Sequence, residues 1–507
     1  MTLPSVRALR QAFPESDLHM MVKKWVRPVF ERDPNIDTVI EYRKEFEGVT
    51  GKLVGSQALK KVGYDTAILF QNAFDAAIIT YLAGIPERLG YNRDARGFLL
   101  TGAIKITPEA KRLHHILYYL NLLKNLGIKP IYRHPWIYID MEEHLSALNR
   151  ISSLKRPVVL LNPGAVYGSA KRWPTGHFSE LSKMIITELY GSVVITGSKG
   201  ETAIADEIVN GLDKDLVNAG TLLNLSGKTD LRELIGLISK ADAVVTNDSG
   251  PMHLTYAVGA PLVALFGSTD PALTGPPTFA NPESIAIPSD IELDSRSIVL
   301  KRDLDCSPCF ERECPGRNTK CLVDITPREV LDALRGIIPT NKAAFFDRDG
   351  TLCRDADYLN RMDDLEIFPE VRELIHLKEK GYILIGISNQ SGVARGIVER
   401  EFTERVIGIF TGQYGFDGFY YCPHHPDENC ACRKPSSGMV LKARKDFNID
   451  LRNSIVVGDK ESDMELARTI GARALLLKSE NAGGSIYADE SFRNLTSLIN
   501  YIHETYT

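Results

Sequence analysis

The sequence predicts an α/β protein made of parallel sheets covered by helices and divided into three consecutive units. Two observations support this fold class. Short apolar segments recur along the chain, each followed by a Gly-rich or Asp-rich loop and a helix-like stretch, which is typical of βα units. The length of 507 residues also corresponds to about three domains of average size.

Composition excludes several classes of protein. The formal net charge is only −5, from 60 basic and 65 acidic residues, which excludes a strongly basic nucleic-acid binder and an acidic disordered tail. No apolar run reaches the ~18 residues that would span a bilayer, and residues 1–4 do not have the pattern of a signal peptide. We therefore expect a cytoplasmic protein that does not bind nucleic acid.

The elements can be predicted in chain order. The first 150 residues are the least regular and contain helix-like stretches at 6–12 and 110–126. Strands are predicted in the middle of the chain at 157–161, 192–196, 243–246 and 262–266. The pattern restarts with strands at 343–346, 383–387 and 455–457. Breaks near 145–155 and 338–341 give predicted domains of residues 1–150, 151–338 and 342–507.

Two carboxylates, Asp347 and Asp349, directly follow the predicted strand 343–346. Ligands bind to parallel sheets at the carboxyl ends of their strands. Phosphoryl transfer requires a nucleophile, a proton donor and a cation, so Asp347 can be the nucleophile and Asp349 the general acid and base. An isolated Asp-x-Asp is equally compatible with an acidic turn.

Three further segments extend this pattern in a fixed order. They supply hydroxyl, amide, cationic and carboxylate groups through Ser388, Asn389, Gln390, Arg433, Lys434 and Asp459. The ordered set resembles the haloacid dehalogenase superfamily of phosphatases. The resemblance implies an aspartyl-phosphate intermediate and Mg²⁺ held by Asp347, the backbone carbonyl of Asp349, and Asp459. It also implies that Ser388 and Lys434 hold the phosphoryl group.

A cluster of thiols and imidazole lies between these motifs. Three cysteines and a histidine within eleven residues fit tetrahedral zinc, with the expected ligands Cys422, His424, Cys430 and Cys432. No position is left open for water, so we expect a structural site that holds the loop carrying Arg433 and Lys434.

The zinc loop is shared by histidinol-phosphate phosphatases and D-glycero-D-manno-heptose 1,7-bisphosphate phosphatases. Residues 390–396, with the sequence QSGVARG, resemble the heptose family, because the histidinol family usually has Asp at the position of Ser391 and lacks Ala-Arg-Gly. The resemblance implies hydrolysis of the 7-phosphate of heptose 1,7-bisphosphate. Arg395 could contact the distal phosphate bidentately.

The middle unit contains two candidate anion sites. A glycine turn at 162–165 leads to Ser169 and Lys171, and Ser249 with Gly250 opens a helix whose free N–H groups suit an anion. Either motif alone fits a generic α/β loop. Together, with the string AKRWP at 170–174, they resemble the lipopolysaccharide heptosyltransferases of glycosyltransferase family 9, especially heptosyltransferase II, over residues 1 to about 335.

This second resemblance implies two Rossmann-like domains of a GT-B glycosyltransferase, followed by the haloacid dehalogenase-like domain with its zinc loop. It implies ADP-heptose as donor, a lipid A–core acceptor reached by peripheral contact at the inner membrane, and inverting transfer without a metal. The donor ligands that it implies are Ser169, Lys171, Asp248, Ser249, Gly250 and His253. Arg88, Arg93 and Arg96 are candidate contacts for acceptor phosphates, although a solvated cationic face explains them as well.

Two features leave alternatives open. The family normally begins with a strand and a Gly-Asp loop that supplies the base, whereas residues 2–10 resemble the helix after that loop, so we expect slow or absent transfer. Cys306, Cys309, Cys314 and Cys321 have a spacing that suits either a metal site or plain thiols.

The sequence therefore predicts a bifunctional heptose enzyme with Mg²⁺ and Zn²⁺ as cofactors. One alternative is a histidinol-phosphate phosphatase fused to another glycosyltransferase. The other is a phosphatase fused to a non-catalytic transferase scaffold.

Overall fold

The computed structural model describes residues 1–130, 134–276, 296–316, 318–428, 430, 432–478 and 485–505. The described chain separates into two compact units. The first contains the described residues up to 276 together with 296–337, and the second begins at residue 338. Within the described ranges, no helix is both long and apolar enough to cross a bilayer.

The N-terminal part of the first unit contains two small parallel sheets. Their strands are β1 (His19–Lys23) and β2 (Thr38–Tyr42) in one sheet, and β3 (Thr66–Leu69), β4 (Glu87–Tyr91) and β5 (Gly102–Ile104) in the other. The helices around them are α1 (Leu3–Ala12), α2 (Gly48–Val62), α3 (Phe74–Leu82), α4 (Pro108–Arg112), α5 (His115–Asn125) and α6 (Met141–Ile151).

The predicted helix at 110–126 is interrupted. Leu113 adopts an extended conformation after α4, and the His114 side chain then accepts a hydrogen bond from the backbone N–H of Ile116. This side-chain bond caps a new helix, α5, because it satisfies one of its free N–H groups. The apolar periodicity continues across the break and therefore did not reveal it.

The rest of the first unit is built on a six-stranded parallel sheet in the order β11-β10-β9-β6-β7-β8. Its strands are β6 (Val158–Asn162), β7 (Ser192–Ile195), β8 (Leu222–Asn224), β9 (Ala243–Asn247), β10 (Leu262–Leu265) and β11 (Ser297–Leu300). Its helices are α7 (Thr175–Glu188), α8 (Thr202–Asn210), α9 (Lys214–Asn218), α10 (Leu231–Lys240), α11 (Gly250–Val258), α12 (Pro271–Thr274), α13 (Lys320–Val323) and α14 (Pro327–Ile337). All four strands predicted in this region are present, whereas β8 and β11 were not predicted.

The strand order reverses between β6 and β9. The chain proceeds from β6 to β7 and β8 on one side of the sheet, then returns to place β9, β10 and β11 on the other. Ligands bind to open α/β sheets at such a reversal, because the loops after the two neighbouring strands diverge there.

The second unit has the same type of sheet, with six parallel strands in the order β14-β13-β12-β15-β16-β17. Its strands are β12 (Lys342–Phe346), β13 (Tyr382–Asn389), β14 (Gly418–Cys422), β15 (Ile455–Gly458), β16 (Arg473–Leu477) and β17 (Glu490–Phe492). Its helices are α15 (Arg400–Gln413), α16 (Gly438–Phe447), α17 (Glu461–Ile470) and α18 (Leu495–Thr505), with a long 3₁₀ helix at Pro369–Lys380. The strand order reverses between β12 and β15.

Strand β12 shows how this sheet is buried on both faces. Ala344 and Phe346 pack into one apolar cluster, and Ala343 and Phe345 pack into the cluster on the opposite face. All four side chains are fully buried, as the alternating geometry of a strand requires when helices cover both faces. The rigid strand therefore fixes the position of the residue that follows it.

Candidate active sites and metal centre

Three carboxylates meet at the strand reversal of the second unit. Asp347 follows β12 and donates its backbone N–H to Val457 of β15. Asp459 follows β15, and Asp463 lies in the first turn of α17. One ligand atom from each of the three carboxylates lies within 4.8 Å of those from the other two.

Lys434 enters this carboxylate group from a separate loop. Its Nζ lies 2.5 Å from Asp347 Oδ1 and 2.7 Å from Asp463 Oδ1, and it donates to the Ile387 carbonyl at 3.1 Å. The Lys434 backbone is held by Asn389, whose side chain accepts from the Lys434 N–H at 3.0 Å and donates to its carbonyl at 3.2 Å. Asn389, from the motif after the second predicted strand, therefore positions the ammonium group of Lys434, which belongs to a separate motif.

Three carboxylates at this site face one ammonium group, so their negative charge is not balanced without a further cation. Burial and, after it, the nearby carboxylate of Asp347 raise the pKa of Asp459 to about 7. Burial opposes the charge of Lys434, but Asp347 and Asp463 outweigh it and raise the pKa of Lys434. Asp459 Oδ1 is buried and has no hydrogen-bond partner among the described residues. Excess carboxylate charge and a buried free oxygen fit a hard divalent cation such as Mg²⁺.

Glycine is required where the chain passes Asp459. Gly350 has φ of +88°, and a Cβ at this position would lie 2.3 Å from Asp459 Oδ2. Any side chain would strain the backbone and displace the carboxylate. The glycine of the Asp-x-Asp-Gly sequence is therefore required because only a residue without a side chain fits beside Asp459.

Asp349 is held in a second polar network beside the carboxylates. It pairs with Arg348 at 2.9 Å, and it accepts hydrogen bonds from Gln390 Nε2 at 2.7 Å and Ser388 Oγ at 3.4 Å. Gln390 also donates to Ser388 Oγ at 2.7 Å. The structure thus brings Asp349 together with the hydroxyl and amide groups at the carboxyl end of β13.

The Cys/His cluster is assembled at the end of β14. The four ligand atoms belong to Cys422, His424, Cys430 and Cys432, and all lie within 4.8 Å of one another. The neighbouring distances are 3.2–3.6 Å, including 3.2 Å from His424 Nδ1 to Cys432 Sγ and 3.4 Å between the sulfurs of Cys422 and Cys430. Tetrahedral zinc would separate such ligands by roughly 3.4–3.8 Å, so the cluster fits this ion.

The first unit has a corresponding site at its own strand reversal. Lys171 Nζ lies 2.5 Å from Asp248 Oδ2, and both side chains are largely buried. Thr269 Oγ1 donates to the same carboxylate oxygen at 2.6 Å. Lys171 also lies over the Tyr167 ring, 4.7 Å from its centroid. These contacts hold a cation beside the loop after β9.

Helix α11 begins at this site. Ser249 precedes the helix, and its hydroxyl lies 3.2 Å from Thr246 Oγ1. Gly250 and Pro251 are its first residues, so free N–H groups point out of the helix N-terminus. His253 lies one turn further on, where burial lowers its pKa to about 3 and keeps the imidazole neutral.

Asn247 joins the loops after β6 and β9. Its Nδ2 donates to the Pro163 carbonyl at 2.8 Å, and its Oδ1 accepts from the backbone N–H of Trp173 at 3.1 Å. Trp173 is itself buried and donates Nε1–H to the Ile325 carbonyl at 2.8 Å. The segment that contains Ser169 and Lys171 is therefore held at both of its ends, Pro163 and Trp173, by Asn247.

Some predicted residues lie outside these networks. Arg395 is exposed, with its guanidinium 5.9 Å from the centre of the Tyr358 ring. Arg433 is half-buried, and its Nη1 has no hydrogen-bond partner among the described residues.

Arg96 corrects one expectation. It is fully buried and donates to the backbone carbonyls of Tyr91, Gln71 and Ala73, so it neither faces an acceptor nor belongs to a solvated surface. Arg88 also donates to backbone carbonyls, including that of Leu99 at 2.7 Å.

Sequence reasoning assigned no role to two residues of the second unit. Asp463 contacts Lys434 from the first turn of α17, and the acidic segment 459–463 after β15 was the signal that could have indicated it. Arg348 contacts Asp349 and donates to Gln390 Oε1 at 3.0 Å. No sequence signal indicated that Arg348 would be buried.

Comparison with known proteins links each site to a family. The glycosyltransferase family 9 (heptosyltransferase) profile matches residues 54–320, and the HAD-hydrolase-like profile matches residues 431–499. Lipopolysaccharide heptosyltransferase 2 of Escherichia coli is 30% identical over 66% of this chain and 94% of its own length. D-glycero-beta-D-manno-heptose-1,7-bisphosphate 7-phosphatase of Haemophilus ducreyi is 40% identical over 32% of this chain and 98% of its own length.

The chain belongs to both families. The heptosyltransferase region also matches the solved structure of E. coli ADP-heptose LPS heptosyltransferase II, with 28% identity and a TM-score of 0.54. That match covers 66% of this chain and 94% of the E. coli chain. The fold is therefore a GT-B-like heptosyltransferase followed by a haloacid dehalogenase-like phosphatase, each present over nearly the whole length of its relatives.

Proposed function

We propose that this chain is a bifunctional enzyme of lipopolysaccharide core synthesis. Its phosphatase region would hydrolyse the 7-phosphate of D-glycero-D-manno-heptose 1,7-bisphosphate, and its transferase region would move heptose from ADP-heptose to the inner core. The observation that supports this most is the presence of two separate buried polar sites, each at a strand reversal and each in a region similar to one of these enzymes. The corresponding domains are residues 1–150, 151–338 and 342–507.

In the phosphatase reaction, the Asp347 carboxylate attacks phosphorus and forms an aspartyl-phosphate. Asp349 donates a proton to the leaving sugar oxygen, then accepts one from the water that hydrolyses the intermediate. Lys434 already contacts Asp347, so its ammonium lies where charge develops on the phosphoryl oxygens. Ser388, Asn389 and Gln390 line the adjacent loop and supply or orient hydrogen-bond donors.

Asp347, the backbone carbonyl of Asp349, and Asp459 would hold Mg²⁺, which supplies positive charge for the phosphoryl oxygens. Cys422, His424, Cys430 and Cys432 would hold structural zinc. Since Cys432 precedes Lys434 by two residues, the zinc would restrict the loop that brings Arg433 and Lys434 to the substrate. Arg395 is exposed in the loop after β13 and is available to contact the second phosphate of the substrate.

The phosphatase proposal is tested with Asp347→Asn, which preserves shape but removes the attacking charge. We expect turnover of heptose 1,7-bisphosphate to fall by about 10⁴-fold or more, as when other covalent nucleophiles are removed. Asp363→Asn is a matched control, because that carboxylate is exposed and lies outside the site. Near-normal turnover by Asp347→Asn would refute the mechanism, and faster hydrolysis of histidinol phosphate would favour the alternative substrate.

The transferase site suits a nucleoside diphosphate sugar. Lys171, Ser169 and the N-terminus of α11 offer positive charge and hydrogen-bond donors to the diphosphate. Asp248, Ser249, Gly250 and His253 line the adjacent position of the donor. His253 is neutral and can exchange a hydrogen bond without adding charge. Transfer would be inverting, without a metal, to a lipid A–core acceptor reached by peripheral contact of a cytoplasmic enzyme with the inner membrane.

Donor binding is tested with Lys171→Met. Loss of the ammonium should weaken ADP-heptose binding by about tenfold or more, because a charge-assisted contact contributes roughly 1.5–3 kcal/mol. Lys183→Met is a control, since Lys183 is half-exposed and pairs only loosely, at 3.8 Å, with Asp213. Calorimetric titration with ADP-heptose measures both. Equal affinity in Lys171→Met and the control would contradict this assignment.

A further inference from the structure

Four cysteines lie in a segment whose fold is not explained by its own packing. None of the described residues from 301 to 319 lies in a helix or strand, and none of those from 301 to 320 is buried. The cysteines in and just after this segment are Cys306, Cys309, Cys314 and Cys321. A long exposed segment without a core usually needs another source of order, such as a bound metal.

Contacts with Gly267 and Ser268, just after β10, bring three of these cysteines toward one place. Ser307 Oγ donates to the Gly267 carbonyl at 2.6 Å, and the Phe310 N–H donates to the Ser268 carbonyl at 2.7 Å. These two bonds anchor the Cys306–x–x–Cys309 turn. Cys321 reaches the same point, because its Sγ would lie 3.1 Å from a Cβ at Gly267.

The four sulfurs are not closely grouped in the described structure. No three of the four sulfurs lie within 4.8 Å of one another in the described structure, in contrast to the Cys422 cluster. Cys306 and Cys309 are exposed, so they can move inward without disrupting a packed core.

We propose that Cys306, Cys309, Cys314 and Cys321 bind a second structural zinc ion, in the transferase region. Four thiolates form a closed tetrahedral site, and each thiol loses its proton on binding, which releases four protons per ion. The turn that carries Cys306 and Cys309 would supply two ligands, and Cys314 in the loop before α13 and Cys321 in the first turn of α13 would supply the other two.

This zinc would brace the candidate donor-binding loop. The Phe310 carbonyl accepts a hydrogen bond from Tyr167 Oη at 2.8 Å, and the Arg312 carbonyl accepts from the Ala170 N–H at 3.0 Å. The Tyr167 ring contacts Lys171, with the ammonium 4.7 Å from its centroid. The cysteine segment therefore holds the loop from which Lys171 projects. This role for the zinc rests on the proposed function, whereas the metal site itself does not.

Zinc content of the full-length protein tests the site. We expect two equivalents in the wild type and one each in Cys306→Ser/Cys309→Ser and Cys430→Ser, measured by elemental mass spectrometry. Cys353→Ser is the matched control, because this thiol lies outside both clusters and its loss should leave two equivalents. Cys314→His keeps a ligand and should retain two, which separates metal loss from general misfolding.

One equivalent in the wild type, removed by Cys430→Ser but unaffected by Cys306→Ser/Cys309→Ser, would overturn the proposal. Iron with acid-labile sulfide in place of the second zinc would also overturn it, as would a disulfide among these cysteines in protein purified under reducing conditions. The bracing role predicts that Cys306→Ser/Cys309→Ser weakens ADP-heptose binding by roughly 2- to 30-fold, the range for residues that act through packing. Its phosphatase turnover should be unchanged, and unchanged ADP-heptose affinity would refute the bracing role alone.

Discussion

Gly350 offers a direct test of how the phosphatase site is built. A methyl group at this position would lie 2.3 Å from Asp459 Oδ2, whereas carbon–oxygen contacts of this kind are rarely below 3.0 Å. Gly350→Ala must therefore displace the Asp459 carboxylate by about 1 Å, and at a φ of +88° it also adds about 1–2 kcal/mol of backbone strain. A displacement of about 1 Å at a catalytic site can reduce the rate by about 100-fold.

The assay is hydrolysis of heptose 1,7-bisphosphate over a range of Mg²⁺ concentrations. We expect Gly350→Ala to need more Mg²⁺ and to turn over about 100-fold more slowly even when Mg²⁺ is saturating. Gly408→Ala is the matched control, because Gly408 lies within α15 with nothing within 4 Å of its Cβ position. Alanine should stabilise that helix by about 1 kcal/mol without changing turnover. Turnover of Gly350→Ala within about fivefold of wild type would refute the steric argument.

Two further predictions concern the metal centre and pH. Cys430→Ser should lower zinc content, phosphatase activity and the melting temperature of the second unit together, because zinc binding contributes to folding; normal stability without zinc would contradict this. His114 should remain neutral, because burial lowers its pKa from 6.5 to about 4 while Nε2 bonds to the Gly275 carbonyl at 2.8 Å. The folded state then binds fewer protons than the unfolded state between pH 6.5 and 4, so stability is complete above 6.5 and falls as the pH drops through this window. The difference between pKa values of 6.5 and about 4 corresponds to at most about 3 kcal/mol of unfolding free energy. His114→Gln should therefore lose less stability than the wild type as the pH drops, measured by denaturant unfolding. An identical pH dependence would exclude His114 as the cause.

Much of the candidate chemistry was predictable from the sequence, because its residues are close together along the chain. Asp347 and Asp349 are two residues apart after an apolar strand, and the four ligands of the Cys/His cluster lie within eleven residues. Groups this close must be near one another in almost any compact fold. Strand positions were predictable for a similar reason, since a short apolar segment bounded by glycine or aspartate has few alternatives in an α/β protein.

Other features depended on the tertiary structure. Lys434 pairs with Asp347 across 87 residues, and Lys171 pairs with Asp248 across 77. The first contact depends on β13 lying between β12 and β14, because Asn389 at the end of β13 holds Lys434. The second depends on β6 and β9 being neighbours at a strand reversal, and local periodicity encodes neither arrangement. Only the packed fold determines that Arg96 is buried against backbone carbonyls rather than exposed to a phosphate. The sequence by itself thus determined which groups are available for catalysis, and the order of the strands decided which of them meet, because side chains far apart in the chain become neighbours only when the sheet is assembled.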